Sequence, residues 1–353
     1  MSENAIQLLE KTVQSRASDI FIVVGLPAVV RLNGSVTEIS EERLMPGDTE
    51  RIISEIYEMA GRRSMDTLSE TGDDDFSFAV PGLSRFRVSA YKQRGSLSAV
   101  VRVISFSLPD PSVLGIPEKV IQFAGFPKGM VLITGSAGSG KSTTLACIIN
   151  YINHNYKKHI ITLEDPLEFL HRHNKSIVSQ REINIDTESY LTALRAALRQ
   201  SPDVILLGEM RDHETIQVAM TAAETGHLIF STLHTVGAAN TIDRIIDVFP
   251  PNQQHQIAVQ LSMVLQAVVS QQLIPSVDGT MVPAFEIMTV TPAIRNMIRD
   301  NKIPQIEGIL YSSANADMVS MDSSLLSLYK NKRITAETAL NFATNPEMLK
   351  KRL

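Results

Sequence analysis

A run of small residues that ends in lysine and hydroxyl residues, GSAGSGKST at positions 135 to 143, has the spacing of a phosphate-binding loop. It follows the apolar segment MVLIT and precedes TTLACIINYI, so the sequence predicts a strand, the loop and a helix. Glycines let backbone N–H groups approach phosphate oxygens, Lys141 supplies a positive charge, and the Ser142 hydroxyl can reach Mg²⁺. The alternative is a glycine-rich turn that merely joins strand to helix. The predicted nucleotide-binding residues are Gly135, Ser136, Ala137, Gly138, Ser139, Gly140, Lys141, Ser142 and Thr143.

Two further apolar segments end in acidic residues. HIITLED ends in Glu164 and Asp165, which a parallel sheet would place at the edge where ligands bind. Glu164 is the candidate general base that aligns and deprotonates the attacking water, whereas Asp165 either supports the site or caps the turn before the next proline. VILLGEM carries Gly208 and then Glu209, and Glu209 could reach Mg²⁺ through a water molecule, since Mg²⁺ keeps several waters. Gly208 would let its strand pass close to the phosphate loop.

Histidines and a charged pair flank the same predicted strands. His227 precedes and His234 follows the apolar segment LIFSTL. A histidine at the carboxyl end of a strand could donate a hydrogen bond to the γ-phosphate and sense its loss, so His234 is the better placed. Both could instead be histidines bonded to backbone. Arg211 and Asp212 are predicted to form a surface ion pair at the start of the next helix.

Composition restricts the class of protein. The chain has 353 residues, 44% of them hydrophobic, which is enough for two domains with real cores. One cysteine, Cys147, excludes an internal disulfide and a multi-cysteine zinc site and is compatible with a reducing cytosol. The first residues show no signal-peptide pattern, so we expect the mature chain to start near Met1. A net charge of −5 argues weakly against duplex DNA as the main partner.

The order of apolar segments predicts a two-domain α/β architecture. Short apolar runs between turn residues indicate a small α+β domain over residues 1–107, and the proline-rich segment 108–117 is the predicted linker. Residues 118–353 alternate strands and helices, which predicts a mainly parallel sheet covered by helices, with a helical part from about 291. The apolar stretch 257–273 is too interrupted for a membrane span and is predicted to be a buried helix.

Together these segments resemble the secretion ATPases, and among them the twitching-motility ATPases that retract type IV pili. GSAGSGKST is similar to that family's Walker A motif, ITLEDPLEF to its Asp box, LLGEMRD to its Walker B motif and TGHLIFSTLHT to its His box. The resemblance covers almost the whole chain and implies a RecA-like core that binds ATP and Mg²⁺, after a PAS-like N-terminal domain. It also implies the site roles: Glu164 and Glu209 in hydrolysis, Ser142 and Glu209 at Mg²⁺, and both histidines at the nucleotide.

The direction of the motor rests on the resemblance alone. AIRNMI within residues 291–300 is similar to the AIRNLI motif of the retraction ATPases, with Met297 in place of leucine. Pilus-assembly and type II secretion ATPases, which remain the alternative, typically carry a four-cysteine zinc element and a longer N-terminal region. Without the resemblance, AIRNMI is simply an amphipathic helix.

The resemblance further implies a homohexamer in which arginines of one subunit reach ATP on its neighbour. Arg87 and Arg102 match the family's paired arginines best, with Arg85 and Arg94 as weaker candidates and surface solubility as the alternative role. The implied partners are the inner-membrane pilus platform protein and a second retraction ATPase, at the cytoplasmic face of the membrane. A nucleic-acid motor and a ring scaffold without catalysis are the competing classes.

Overall fold

A computed structural model describes residues 3–32, 34–104, 108–312 and 318–353, with the side chain of residue 312 excepted. The chain divides into two compact units, Met1–Ser107 with Glu168–Leu170, and Leu108–Leu167 with His171–Leu353. The expected start of the mature chain and the expected end of the N-terminal domain at residue 107 lie outside the described residues. The expected linker 108–117 falls in the second unit.

The first unit is built on a six-stranded antiparallel sheet with the strand order β3-β2-β1-β6-β5-β4. Its elements are α1 (Ala5–Gln14), β1 (Asp19–Ile22), β2 (Val29–Leu32), β3 (Ser35–Glu38), α2 (Pro46–Met59), α3 (Asp66–Thr71), β4 (Asp73–Val80), β5 (Ser84–Gln93) and β6 (Ser96–Ile104). Side chains alternate along β5, where Phe86 and Val88 are buried and the residues between them are less so. The buried side chains pack with Ile52 and Ile56 of α2, which gives the unit one apolar core. The α+β architecture predicted from the sequence is confirmed.

The second unit is an α/β fold on a seven-stranded sheet with the order β13-β12-β7-β11-β10-β8-β9. All neighbouring strands are parallel except β12 and β13. The elements that form it and cover it are α4 (Glu118–Gln122), β7 (Gly129–Thr134), α5 (Lys141–Asn155), β8 (His159–Glu164), β9 (Ile177–Glu182), α6 (Tyr190–Ala197), β10 (Val204–Leu207), α7 (His213–Glu224), β11 (Leu228–Leu233), α8 (Ala238–Asp247), α9 (Pro251–Val264), β12 (Leu265–Pro275) and β13 (Met281–Thr289). Strands β7, β10 and β11 are buried along their whole length, because helices cover both faces of the sheet. The predicted mainly parallel sheet is confirmed.

Helices follow β13 in the described part of the chain, as expected from about residue 291, and Val319 adds one isolated β-bridge to Ile287. The helices are α10 (Pro292–Arg299), α11 (Pro304–Ser312), α12 (Met321–Lys330), α13 (Ala336–Phe342) and α14 (Pro346–Lys350). The AIRNMI segment lies in α10, which begins after the cap residue Thr291 and buries Ile294 and Ile298. Among the described residues, no helix is both long and apolar enough to cross a membrane.

The apolar stretch 257–273 is not one buried helix, and that prediction is wrong. Helix α9 ends at Val264, and the chain continues directly into β12, which lies between β7 and β13. The second half of the stretch carries the β-branched pair Val268 and Val269, which favours a strand, and then the polar residues Ser270, Gln271 and Gln272. On β12, Ser270 and Gln271 are buried and hydrogen-bonded.

Candidate functional site

The phosphate loop lies between the end of β7 and the start of α5. Gly135, Gly138 and Gly140 have φ values of 140°, 75° and 87°, which are strained for other residues. A β-carbon on Gly135 would stand 2.2 Å from the Gln271 backbone oxygen, so this turn requires glycine. The predicted strand, loop and helix are thus observed, with the loop at the N-terminus of a 15-residue helix.

Polar groups of this loop fit a phosphate. The Oγ of Ser139 is buried and has no hydrogen-bond partner among the residues described, and such a group is costly unless a ligand or water satisfies it. Lys141 is buried and its ammonium group donates to the backbone oxygens of Gly135 and Ser136, at 2.9 and 2.8 Å. Ser142 and Thr143 follow it in the first turn of α5 and are half-buried. The loop therefore carries a positive charge, a helix N-terminus and an unsatisfied hydroxyl together.

A buried glutamine that no motif indicated supports this loop. Gln271 of β12 accepts a hydrogen bond from the Thr144 hydroxyl at 2.7 Å, and its side-chain nitrogen lies against Gly140. Strand β12 lies directly beside β7, with Ser270 level with Thr134. Gln271 is thus held next to both ends of the loop, although it is more than 120 residues away in sequence.

A cavity of about 520 Å³ opens beside the loop, within the second unit. Its walls come from the loop residues Gly140 and Thr143, the segment around Gly115, and Pro283 of β13, among others. Apolar walls next to a phosphate loop suit a flat heterocyclic base. The cavity and the loop together fit a nucleotide.

Both predicted acids lie at the carboxyl edge of the sheet. Glu164 ends β8, and Glu209 follows β10 by two residues. By the spacing of strands, β10 and β8 are about 10 and 14 Å from β7, so Glu209 is the nearer to the phosphate loop. Glu164 accepts a long hydrogen bond from Gln180 at 3.4 Å, and Asp165 is exposed at the same edge. This arrangement is compatible with Glu209, the nearer carboxylate, at Mg²⁺ and Glu164, the farther one, at the attacking water.

Glu209 contacts two positively chargeable side chains. Its Oε1 pairs with Arg211 at 2.7 Å, and its Oε2 lies 3.4 Å from the Nε2 of His234. The expected pair between Arg211 and Asp212 is wrong, because Asp212 is the N-cap of α7 and accepts hydrogen bonds from the backbone and hydroxyl of Thr215. His234 is thus brought to the acid of the neighbouring strand end.

Gly208 lies close to Tyr190 and to the end of β8. The prediction that it brings its strand close to the phosphate loop is wrong. A β-carbon there would stand 2.7 Å from the hydroxyl of Tyr190 and 3.2 Å from the Leu163 backbone oxygen. Burial, followed by the negative charges of Glu209 and the nearby acids, raises the pKa of Tyr190. The phenol is therefore neutral at physiological pH and lies among carboxylates, and no sequence motif had indicated it.

His227 lies at the wrong end of its strand for the nucleotide role within its own chain. It precedes β11, and its backbone oxygen accepts from Gly129 at the start of β7. The phosphate loop begins six residues along β7, about 20 Å away. Its Nδ1 contacts the backbone oxygen of Ala222 at 2.9 Å, which is the backbone-bonded alternative.

The paired arginines lie in the first unit. Arg87 of β5 and Arg102 of β6 are direct cross-strand neighbours. Arg102 pairs with the buried Asp19 at 2.8 Å, while 65% of its side chain is exposed. Arg85 is half-buried on the same strand as Arg87, and Arg94 is exposed in the turn that follows.

No group of three His, Cys, Asp or Glu side chains in the described part of the chain could hold a metal ion by itself. Mg²⁺ does not need one, because it retains waters and takes further oxygens from a phosphate. The Ser142 hydroxyl and the Glu209 carboxylate are the oxygen donors that fit it here.

Comparison with known proteins places the chain among nucleotide-driven motors. The family model described as "Type II/IV secretion system protein" matches residues 3–338. The chain is 43% identical to the "Type IV pilus retractation ATPase PilT" of Pseudomonas aeruginosa, over 97% of this chain and 98% of that protein. It is also 43% identical to a "Twitching motility protein" of Neisseria gonorrhoeae, over 96% and 89%. A solved structure described as the "Pilus Retraction Motor PilT and Bound ADP" matches with a TM-score of 0.90 and 42% identity, over 99% and 100%.

Proposed function

The chain belongs to the type II/IV secretion system protein family, and from that premise we propose that it is an ATP hydrolase that drives type IV pilus retraction and twitching motility. Support comes from relatives with these names that match nearly end to end. The observation that carries the chemistry is the phosphate loop, where Ser139 has an unsatisfied buried hydroxyl beside the Lys141 ammonium group. A glycine-rich turn without a ligand would leave the buried Ser139 hydroxyl without a partner among the described residues.

Each residue then has a task in transferring the terminal phosphate to water. Backbone N–H groups of residues 135–143 and the Lys141 ammonium group bind the phosphates. When bound by Ser142 and Glu209, Mg²⁺ supplies positive charge next to the phosphate oxygens. Glu164 orients and deprotonates the attacking water, and His234 senses the terminal phosphate while in contact with Glu209.

The assembly is part of the proposal. The active form is a homohexamer in which Arg87 and Arg102 of one subunit stabilise charge on the ATP of its neighbour. Guanidinium groups suit this task because they remain charged and bind phosphate oxygens with two donors. His227 could contact nucleotide only on a neighbouring subunit of the homohexamer, because it is remote from the phosphate loop of its own chain.

The ring acts at the inner face of the cell membrane on the pilus platform protein, with a second retraction ATPase as a possible co-motor. Hydrolysis moves the ring only if ATP and ADP make different contacts with it. We expect no nucleic-acid partner, and the net charge of −5 is in keeping with that.

The enzymatic part is tested by Glu164→Gln and Glu209→Gln in the full-length protein. We expect Glu164→Gln to abolish turnover while ATP remains bound, and Glu209→Gln to shift the Mg²⁺ activation curve about tenfold or more to higher concentration. Glu188→Gln, which removes an exposed acid of the same unit, is the matched control. Normal hydrolysis by both site variants would refute the assignment, and strong stimulation by DNA would favour a nucleic-acid motor.

The direction of the motor is tested by gene deletion. Loss of a retraction motor leaves more surface pili and no twitching, and the wild-type gene, but not the Glu164→Gln gene, restores movement. A deletion strain without pili would instead identify an assembly motor.

A further inference from the structure

The loop that follows His234 is held by side chains from two adjacent strands. The backbone N–H of Gly237 donates to the Ser270 hydroxyl at 2.9 Å, and that of Ala238 donates to the Glu286 carboxylate at 2.8 Å. Ser270 on β12 and Glu286 on β13 are direct cross-strand partners. One pair of neighbouring side chains therefore fixes the first turn of α8, only three to four residues after His234.

Glu286 also reaches a second helix. Its other oxygen accepts from the backbone N–H of Met321, the first residue of α12, at 3.4 Å. The N-termini of α8 and α12 both carry partial positive charge, and the single carboxylate lies between them. The His234 loop and the C-terminal helices are thus connected through one side chain.

Burial makes a carboxylate energetically unfavourable at this position. Glu286 is 7% exposed, and a carboxylate so placed has to be hydrogen-bonded to offset the loss of water. Burial raises its pKa, and the two backbone N–H groups counteract only part of that rise. A neutral side chain of the same size would fill this position without that cost, but it would not attract both helix ends.

Strand β12 links the same support to the phosphate loop. Ser270 contacts the loop after His234, and the next residue, Gln271, points to the opposite face and contacts Thr144 of α5. A displacement of β12 would therefore move both the loop after His234 and the support of the phosphate loop.

We infer that Glu286 is a positioning residue for ATP hydrolysis, which sets the place of His234 through α8 and links that place to the C-terminal helices through α12. The inference rests on the proposed function, because it assigns Glu286 to the same site. Both carboxylate oxygens of Glu286 accept from backbone N–H groups, so its effect on the reaction passes through the loop that it holds. ATP binding should depend on it little, since the phosphate loop has its own supports.

The test compares Glu286→Gln and Glu286→Asp with the wild-type full-length protein. The glutamine keeps the shape but replaces one acceptor oxygen by an NH₂ group, so it can accept from only one of the two helix ends, and the aspartate is too short to reach both. We expect kcat to fall roughly tenfold or more in each, because small displacements of a reacting group have effects of that size. The melting temperature should fall because a buried N–H group loses its partner, but the affinity for a fluorescent ADP analogue should stay within about twofold.

Glu337→Gln is the matched control, because Glu337 is an exposed acid in the first turn of α13 in the same unit and is not among the groups that act on Glu286. Its kcat should equal that of the wild type. If Glu286→Gln does not fold, Glu286→Asp decides, since it keeps the carboxylate but shortens the side chain that reaches both helix ends.

The outcomes separate the two proposals. Unchanged kcat in the Glu286 variants, or equal losses of nucleotide affinity and kcat together with a lower melting temperature, would overturn the positioning role. Unchanged kcat in Glu286→Asp would overturn it in the case where that variant decides. An inactive wild type, or an active Glu164→Gln variant, would instead refute the proposed function.

Discussion

The hydroxyl of Tyr190 occupies the space that a side chain at Gly208 would need. A β-carbon built on Gly208 stands 2.7 Å from that oxygen, closer than such atoms approach in proteins. The glycine of the LLGEM segment therefore makes room for a neutral phenol among the carboxylates of Glu164, Asp165 and Glu209.

Gly208→Ala should lower both stability and turnover, and Tyr190→Phe should partly rescue it. Removal of the hydroxyl leaves the Leu163 backbone oxygen, at 3.2 Å, as the nearest neighbour of the new methyl group. We expect about 1–3 kcal/mol of destabilisation in the single alanine variant, as in other overpacked sites. Melting temperatures and kcat of the wild type, the two single variants and the double variant are compared in a double-mutant cycle. Additive effects would show that the two residues do not compete for this space.

Gln271→Ala should weaken nucleotide binding, because it leaves the Thr144 hydroxyl without its partner and a gap beneath Gly140. We expect the affinity for ADP to fall about fivefold to tenfold, the equivalent of one lost hydrogen bond of about 1 kcal/mol with some loosening of the loop. Calorimetric titration measures it. Gln272→Ala removes the neighbouring amide from the opposite face and is the control, and an equal effect of both substitutions would contradict a specific support of the loop.

Local motifs in the sequence predicted the phosphate loop, the acidic strand ends and His234, because each chemical group there follows directly from a short pattern. Gln271, Glu286 and Tyr190 belong to no such pattern. Gln271 and Glu286 lie at the site because β12 lies beside β7 and β13 lies beside β12. Tyr190 lies there because the start of α6 packs against Gly208. These are contacts between segments that are distant in sequence.

The stretch 257–273 shows why the remaining elements were harder to predict. Its polar residues excluded a membrane span and left a buried helix as the prediction, whereas Ser270 and Gln271 are buried partners of the loops on two faces of a strand. The polar residues within this apolar stretch could have indicated buried hydrogen bonds. Their partners could not be predicted, because they depend on tertiary packing. His227 precedes its strand and is remote from the phosphate loop of its own chain, so its nucleotide role stays a prediction that depends on a neighbouring subunit.

Asp74→Asn should destabilise the first unit in a pH-dependent way. Asp74 of β4 accepts hydrogen bonds from Arg63 at 2.9 and 3.0 Å and from Tyr57 at 2.9 Å. Burial tends to raise its pKa, but these bonds and the charge of Arg63 outweigh it, so the pKa lies below the usual 3.8. A carboxyl group with a lowered pKa stabilises the fold fully above its unfolded value and loses that contribution as the pH falls through its folded value.

We therefore expect Asp74→Asn to cost about 2 kcal/mol at pH 7, allowing for the partial exposure of Arg63. The gap to the wild type should narrow as the pH falls below about 4. Thermal unfolding of the intact chain at pH 7, 5 and 3, followed by circular dichroism, measures the change. Asp75→Asn removes an exposed carboxylate from the same strand and should have little effect. A gap that is constant over this range would contradict the assigned role of the ionised carboxylate.

Arg295 of the AIRNMI segment caps the end of α9, and that contact gives the motif a structural role. Its Nη1 donates to the backbone oxygens of Ser262 and Met263, at 2.5 and 2.9 Å, where a helix end carries partial negative charge. Helix α9 continues into β12, which carries the supports of the phosphate loop and of the loop after His234. Arg295→Ala should lower stability by about 1–2 kcal/mol and reduce kcat by displacing β12.

Arg295→Lys should be intermediate, since lysine keeps the charge but cannot donate from a planar fork to two carbonyl groups. Arg299→Ala is the control, because Arg299 lies one turn further along α10 and pairs only with the exposed Asp300. Melting temperature and steady-state ATPase rates of the three variants make the comparison. If Arg295→Ala keeps wild-type stability and kcat, the cap does not position β12, and the motif must act on the motor through its exposed face.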